Sequence, residues 1–295
     1  MLGTRLVLGT LMIVALAGIV CADGYVSVHY PQWAGLLITL LIAVLVIFAG
    51  YELGRLMQAG DSPGGYKPVT HWAAFVSAGL VVIPWIEMRQ STTGLSAIWL
   101  TGGLLVTCLA VLGRKTTVQA IGNMASTLFI ILYLGLLASF VVRVRLIWPG
   151  AAGAAILVFT ILTVKSSDIG AYFVGSALGR HKLAPWVSPG KTVEGAVGAL
   201  AASAAVAIGA MVLWGHYQAV VGPAPLKMAQ AAIFGLLMAI FGHLGDLVES
   251  AIKRDIGQKD SARVVPAFGG LLDIIDSPLF TAPVAWWVLT NWVRH

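Results

Sequence analysis

Nine apolar runs, most of them long enough to cross a membrane, follow one another along this chain. A transmembrane helix needs about 20 predominantly apolar residues to cross a hydrocarbon core of about 30 Å. Because backbone amides cannot stay unpaired in lipid, such runs form helices. The sequence therefore predicts an all-α, polytopic integral membrane protein with about nine transmembrane helices. The runs cover residues 4–22, 33–57, 70–87, 95–112, 119–142, 147–164, 193–214, 228–246 and 278–293.

Composition supports one membrane domain without a soluble appendage. Only 10% of the residues are charged, against about 25% in soluble domains. We expect residues 1–150 to form N-terminal transmembrane helices and residues 151–295 to continue the same domain and carry the site. The first run resembles a signal peptide, but the spans that follow favour a first helix. Cys21 and Cys108 fall on different predicted helices, which argues against a disulfide framework or a structural zinc site.

Basic residues are distributed unevenly between the two sides of the membrane. If the N-terminus is cytoplasmic, 13 of the 18 Lys and Arg residues lie in cytoplasmic segments, as the positive-inside rule requires. We therefore expect a cytoplasmic N-terminus and site, in a bacterial inner membrane. The formal charge of +6 is explained by topology and anionic lipid, so no nucleic-acid partner is expected.

Acidic residues are scarce but clustered. None occurs between Glu87 and Asp168, and eight of the twelve follow within about a hundred residues. Carboxylates near membrane depth are costly and usually face a cavity, a partner or an ion, so the clustering predicts a functional site. Solvated loop charges are the alternative. The eight residues are Asp168, Glu194, Asp246, Glu249, Asp255, Asp260, Asp273 and Asp276.

Residues 246–254 are predicted to form a helix with one polar face. The apolar run 231–244 leads directly into this helix, so its polar face should begin at the membrane boundary, where lipid headgroups lie. A face in plain water, with Glu249 and Lys253 as an ordinary i,i+4 pair, is the alternative. The residues at i, i+3, i+4, i+7 and i+8 are Asp246, Glu249, Ser250, Lys253 and Arg254.

A second acidic pair, Asp273 and Asp276, is spaced to share a helical face just before the final span. Together with Asp246, these residues place three aspartates on two adjoining helices. Mg²⁺ prefers such oxygen ligands and usually keeps phosphate oxygens and water in its shell. The preceding pair, Gly269 and Gly270, would let the backbone approach a phosphate closely.

An earlier polar segment is predicted to be a loop containing Lys165–Asp168 and Ser188–Gly195. Its Gly-Lys-Thr sequence is not a phosphate-binding loop of the ATPase type, because Pro185 stands where that motif requires Gly. A helix is predicted to begin near Thr192, and its N-terminal amides favour an anion. Cations for a polyphosphate and carboxylates for its metal indicate phosphoryl or nucleotidyl transfer to a lipid.

The C-terminal pattern resembles the signature of the phosphatidate cytidylyltransferase family, the CDP-diacylglycerol synthases. That signature contains Ser, then Lys-Arg, Lys-Asp, Pro-x-His-Gly-Gly and Asp-Arg-x-Asp. Segments between Ser167 and Gly198 are also similar to the family, and the resemblance covers residues 165–283. The matching signature residues are Ser250, Lys253, Arg254, Lys259, Asp260, Pro266, Gly269, Gly270, Asp273 and Asp276.

The resemblance implies synthesis of CDP-diacylglycerol from CTP and phosphatidic acid among membrane lipids. It implies Mg²⁺ held by Asp246, Asp273 and Asp276, with a monovalent cation as an optional assistant. By analogy we assign catalytic roles to Glu249, Lys253, Arg254, Lys259 and Asp260. We assign substrate binding to Asp168, Ser188, Lys191, Thr192, Glu194, Ser250, Gly269 and Gly270.

Two positions depart from the signature, since Phe268 replaces its His and Ile274 replaces its Arg. Because the three aspartates and the basic residues of the signature are present, we expect an active member with a variant pocket, and a lost activity is the alternative. Transfer of a nucleotide to another lipid phosphate is a close alternative, and an ion transporter is an alternative of another class. A CDP-alcohol phosphatidyltransferase is excluded, because Tyr25-Val26 follows Asp23-Gly24 where that family requires Ala-Arg. A homodimer is compatible with these observations, which leave the oligomeric state open.

Overall fold

Nine long apolar helical stretches make up most of the computed structural model, which describes residues 2–59, 65–258 and 270–292. Within those ranges, the prediction of an all-α protein with about nine spans is confirmed. The helices are α1 (Leu2–His29), α2 (Leu36–Ala59), α3 (Thr70–Gln90), α4 (Leu95–Leu112), α5 (Ala120–Ile130), α6 (Leu137–Arg145), α7 (Gly150–Leu178), α8 (Val193–Val221), α9 (Met228–Asp255) and α10 (Leu272–Trp292).

The fifth span is continuous but not uniform. Helices α5 and α6 are joined by a π-helical segment, Ile131–Leu136. Segments of this kind are rare and are often found near functional sites. The segment lies close against α3, because a Cβ atom added to Gly135 would come within 2.5 Å of the Ser77 Cα atom.

The predicted loop at Lys165–Asp168 is wrong, because α7 continues through these residues to Leu178. Polar side chains do not have to end the helix, because one face of α7 can carry them away from lipid. Apolar side chains such as Ile169 and Phe173 are exposed on the same helix. The second part of the predicted loop is also ordered. It forms an antiparallel hairpin of β1 (Lys182–Ala184) and β2 (Ser188–Thr192).

Small residues set the spacing of the helices that carry the polar residues. A Cβ atom added to Gly198 of α8 would lie 2.5 Å from the Val174 Cβ atom of α7. One added to Gly235 of α9 would lie 2.6 Å from the Ala204 Cα atom of α8. Lipid supplies no hydrophobic drive between helices, so close backbone approach is what stabilises such contacts.

Two buried apolar clusters hold the bundle together, and both combine elements from the two halves of the chain. The first joins α2, α3 and the π-helical segment to Leu272 and Leu279 of α10. The second joins Ile38 of α2 to side chains of α7, α8, α9 and α10. A buried ion pair, Arg145 with Asp23 at 2.6 Å, attaches α1 to α6.

Candidate active site

Polar residues of α7, the β-hairpin and α9 converge at one end of the bundle. The second half of α7, the β-hairpin, the beginning of α8 and the second half of α9 surround a cavity of about 370 Å³. Most of its remaining lining is small, which leaves room for a ligand between the helices. Its polar and titratable lining residues are Asp168, Tyr172, Ser176, Lys191, Thr192, His243 and Asp246.

Asp246 lies at the centre of the polar contacts around this cavity. Lys191 Nζ lies 3.1 Å from Asp246 Oδ2, and Ser277 donates a hydrogen bond of 2.5 Å to Asp246 Oδ1. Ser277 also donates through its backbone N–H to Asp276 Oδ1 at 2.6 Å. Gly245 permits this approach of α9 to α10, since an added Cβ would lie 2.9 Å from the Asp276 carbonyl oxygen. Two carboxylates therefore share one serine.

A second group of contacts lies further along the same face of α9. Lys253 forms an ion pair with Glu249 at 2.6 Å and another with Asp273. Asp273 Oδ2 also accepts from the Gly270 backbone N–H at 2.9 Å. Glu249 is only 4% exposed, so it does not lie in plain water, although the i,i+4 pair of that alternative is present and Arg254 at the end of the face is exposed. The polar face of α9 is packed against α10.

The beginning of α8 matches its prediction. Thr192 is the N-cap residue, and its hydroxyl oxygen accepts from the Gly195 N–H at 3.1 Å. On α7, Lys165 forms an ion pair with Asp168 Oδ2 at 3.0 Å. The buried Oδ1 atom of Asp168 has no hydrogen-bond partner among the described residues. Because Asp168 lines the cavity, this oxygen is suited to a ligand donor or a cation.

Several predicted site residues lie outside the cavity. Glu194 accepts from the backbone N–H groups of Arg180 and His181 and contacts His181 Nδ1 at 2.6 Å, so it holds the start of the hairpin. Arg254 is exposed and donates weakly to the Val187 carbonyl oxygen at 3.4 Å. Ser188 pairs with Ala184 in the hairpin, and Ser250 is half-buried on α9.

Part of the predicted site lies outside the described residues. The segment 259–269 is not among them, and it contains Lys259, Asp260, Pro266, Phe268 and Gly269. Of the two departures from the signature, only Ile274 can be placed. It packs against the apolar cluster of α2, α3 and α10, so it contributes an apolar contact where the signature has a guanidinium.

The three predicted metal ligands do not form one group. Among the described residues, no set of three or more His, Cys, Asp or Glu side chains is arranged to hold a metal ion. Asp246 and Asp276 are joined by Ser277, whereas Asp273 contacts Lys253. The Asp246–Asp276 pair nevertheless fits Mg²⁺, which takes one or two protein carboxylates together with phosphate oxygens and water. Two adjacent carboxylates also repel each other unless a cation or a proton lies between them.

Three residues at this end of the bundle were not predicted. Ser277 follows Asp276 directly, and His243 lies one helical turn before Asp246, so their positions in sequence could have indicated both. Glu52 of α2 accepts a 2.8 Å hydrogen bond from the Leu271 N–H. Its only sequence signal is an acidic residue inside an apolar run.

The chain as a whole is similar to known proteins. A family model described as the cytidylyltransferase family matches residues 3–292. An uncharacterized Escherichia coli protein, YnbB, is 45% identical over 134 residues, which are 45% of this chain and 41% of that protein.

Other relatives carry the name phosphatidate cytidylyltransferase, among them proteins of Bacillus subtilis and Mycobacterium bovis. The Bacillus subtilis protein is 37% identical over 158 residues, which cover 54% of this chain and 55% of that protein. The Mycobacterium bovis protein is 33% identical over 222 residues, which cover 67% of this chain and 69% of that protein. The chain thus spans about half the length of the first two relatives and two thirds of the third.

Proposed function

This chain belongs to the cytidylyltransferase family, and we propose that it makes CDP-diacylglycerol and pyrophosphate from CTP and phosphatidic acid. The observation that carries the proposal is the cavity containing Lys191 and Asp246, beside the Asp246–Asp276 pair. It provides a cation for a polyphosphate and carboxylates for its metal at one end of a membrane bundle. The names of the Bacillus and Mycobacterium relatives support the same reaction.

The chemistry requires little from a general base. A phosphate oxygen of phosphatidic acid forms a bond to the α-phosphorus of CTP, while the bond from that phosphorus to the bridging oxygen breaks and pyrophosphate leaves. The nucleophile is anionic near neutral pH. Catalysis therefore depends on positioning the two phosphates and on neutralising their charge.

Basic side chains are assigned to the phosphates. Lys191 lines the cavity and contacts Asp246, so it can release this carboxylate and contact CTP without leaving the site. Lys253 is held between Glu249 and Asp273, which fixes its ammonium group beside the α9–α10 contact. Arg254 and Lys259 complete the proposed set. The Arg254 contact with Val187 supports a role in holding the hairpin that carries Lys191.

Asp246 and Asp276 are the proposed Mg²⁺ ligands, whereas Asp273 contacts Lys253 and is not assigned to the metal. Bound there, Mg²⁺ would offset the negative charge that gathers on the phosphate oxygens. Ser277 orients the two carboxylates, and Asp168 presents an unpaired oxygen to the same cavity. We further propose that this end of the bundle faces the cytoplasm, because most Lys and Arg residues lie on its side.

The test is formation of CDP-diacylglycerol from labelled CTP and phosphatidic acid by the purified full-length protein, with and without Mg²⁺. We expect metal-dependent product that is lost in Asp276→Asn. Glu87→Gln is the matched control, since Glu87 pairs with Arg143 at the opposite end of the bundle. Product made equally well without metal, or by Asp276→Asn, would reject the assignment of the metal site.

The lipid substrate is tested in the same assay. Nucleotide transfer to a polyprenyl or ether-lipid phosphate in place of phosphatidic acid would identify the alternative transferase. Absence of product with every lipid phosphate, from folded protein, would contradict nucleotidyl transfer altogether.

A further inference from the structure

Glu52 is a buried carboxylate in the second half of an apolar helix. It lies on α2 and is 3% exposed. A carboxylate in such surroundings is costly unless a partner holds it. Its Oε2 atom accepts a 2.8 Å hydrogen bond from the backbone N–H of Leu271, which is 219 positions away in sequence. Its Oε1 atom is buried and has no hydrogen-bond partner among the described residues.

The contact pairs a backbone N–H group at the start of helix α10. The first backbone N–H groups of any helix lack partners within the helix, and a Ser, Thr, Asp or Asn side chain usually accepts from one of them. At the start of α10 the residue preceding the helix is Leu271, whose side chain cannot accept. Glu52 supplies the acceptor from another helix, and a negative charge is favourable at a helix N-terminus.

Asp273 is a second carboxylate at this helix end. It accepts from the Gly270 N–H and contacts Lys253. Glu52 also interacts electrostatically with both Asp273 and Lys253. Without Glu52, the Leu271 N–H would be left unpaired beside Asp273 and would compete with Lys253 for its oxygens. The hydrogen bond from Leu271 to Glu52 thus lies next to the contacts that hold Asp273.

We propose that Glu52 is a positioning residue that caps α10 and keeps Asp273 in contact with Lys253. Glu52 acts through Leu271 and Asp273 and has no contact with substrate in this proposal. The inference rests on the proposed function for its catalytic part, and its structural part can be measured without turnover.

Three variants of the full-length protein separate charge from contact. Glu52→Leu removes both, Glu52→Asp keeps the charge but shortens the side chain, and Glu52→Gln keeps an acceptor of the same reach. Hydrogen exchange is measured by mass spectrometry on peptides containing Leu271 and Leu272. Turnover of CTP gives kcat and KM for the same preparations. Glu87→Gln, at the opposite end of the bundle, is the control.

We expect Glu52→Leu and Glu52→Asp to accelerate exchange of these amides by about tenfold or more, the effect of losing one charge-assisted hydrogen bond. In both variants kcat should fall by about 10- to 100-fold, because small displacements in a site are costly, while the KM for CTP changes little. Glu52→Gln should restore most of the protection and most of kcat. If Glu52→Leu does not fold, Glu52→Asp provides the same comparison.

Unchanged amide exchange in Glu52→Asp would overturn the capping role. Faster exchange with unchanged kcat would overturn the positioning role. If the wild-type protein makes no CDP-diacylglycerol, the proposed function fails together with the catalytic part of this inference. The exchange measurement would then still decide the capping part, so the two failures can be distinguished.

Discussion

Lys191 Nζ lies 3.1 Å from Asp246 Oδ2, and this ion pair connects the β-hairpin to helix α9 across the cavity. The lysine comes from β2, directly before the N-cap of α8. Its backbone belongs to β2, and its ammonium group lies against Asp246 of α9, beside the proposed metal ligands. A phosphate group entering the cavity would meet a cation that is already oriented.

Replacing Lys191 should weaken catalysis. Hydrogen bonds to charged groups contribute about 1.5–3 kcal/mol, so we expect kcat/KM for CTP to fall by about 10- to 100-fold in Lys191→Met. Lys182→Met is the matched control, because Lys182 is in the same hairpin but exposed. Steady-state kinetics with varied CTP is the measurement. Equal losses in the two variants would indicate that general charge, and not this site, is responsible.

Ser277→Ala should weaken Mg²⁺ binding more than it lowers the stability of the fold. Ser277 donates to Asp246 and lies 3.3 Å from Asp276 Oδ1, and loss of a residue that orients metal ligands typically costs about 10- to 100-fold in affinity. We expect the Mg²⁺ concentration for half-maximal activity to rise by that factor. Ser139→Ala is the control, since buried Ser139 donates within its own span. An unchanged Mg²⁺ dependence would contradict the proposed ligand pair.

His243→Ala should affect CTP binding. His243 lines the cavity, and its Nδ1 atom contacts the Ala239 carbonyl oxygen at 3.1 Å, which leaves Nε2 for a ligand. A neutral hydrogen bond contributes about 0.5–1.5 kcal/mol, so we expect the KM for CTP to rise by about two- to tenfold. His216→Ala is the control, since His216 is exposed on α8. An equal KM for CTP in His243→Ala and His216→Ala would contradict a role for His243 in CTP binding.

Gly198→Val should destabilise the α7–α8 contact. An added Cβ would lie 2.5 Å from Val174 and 2.8 Å from the Gly170 carbonyl oxygen, and overpacking typically costs about 1–3 kcal/mol. We expect a lower unfolding temperature in detergent. Gly209→Ala, on the same helix with nothing within 4 Å of an added Cβ, should leave the unfolding temperature unchanged or raised. A Gly198→Val protein as stable as wild type would show that this crossing can relax.

Labelling with a membrane-impermeant maleimide tests the proposed orientation. Cysteines are introduced by Lys182→Cys in the hairpin and by Thr93→Cys between α3 and α4, after replacement of Cys21 and Cys108. Both positions are exposed and lie at opposite ends of the bundle. In intact bacterial cells we expect labelling at position 93, with position 182 reacting only after permeabilisation. The reverse pattern would place the site outside the cytoplasm.

Much of the site could be predicted because local spacing determines which residues share a helical face. Asp246, Glu249 and Lys253 lie on one face of α9, as their intervals require, and α8 begins where Thr192 indicated. The loop predicted at Lys165–Asp168 is wrong for a related reason. Polar residues indicate a break in a span when they would face lipid, but a helix can keep them when they face a cavity.

The number of spans, their helical nature and the clustering of the acids were determined by the sequence itself, because lipid requires long apolar helices and makes each buried charge conspicuous. Only the tertiary structure decided which polar groups meet. It brings Lys191 to Asp246, separates Asp273 from the Asp246–Asp276 pair and places Glu52 at the start of α10. The helices that carry the site residues approach each other closely at Gly198, Gly235 and Gly245. Such contacts join residues far apart in sequence, so no local pattern encodes them.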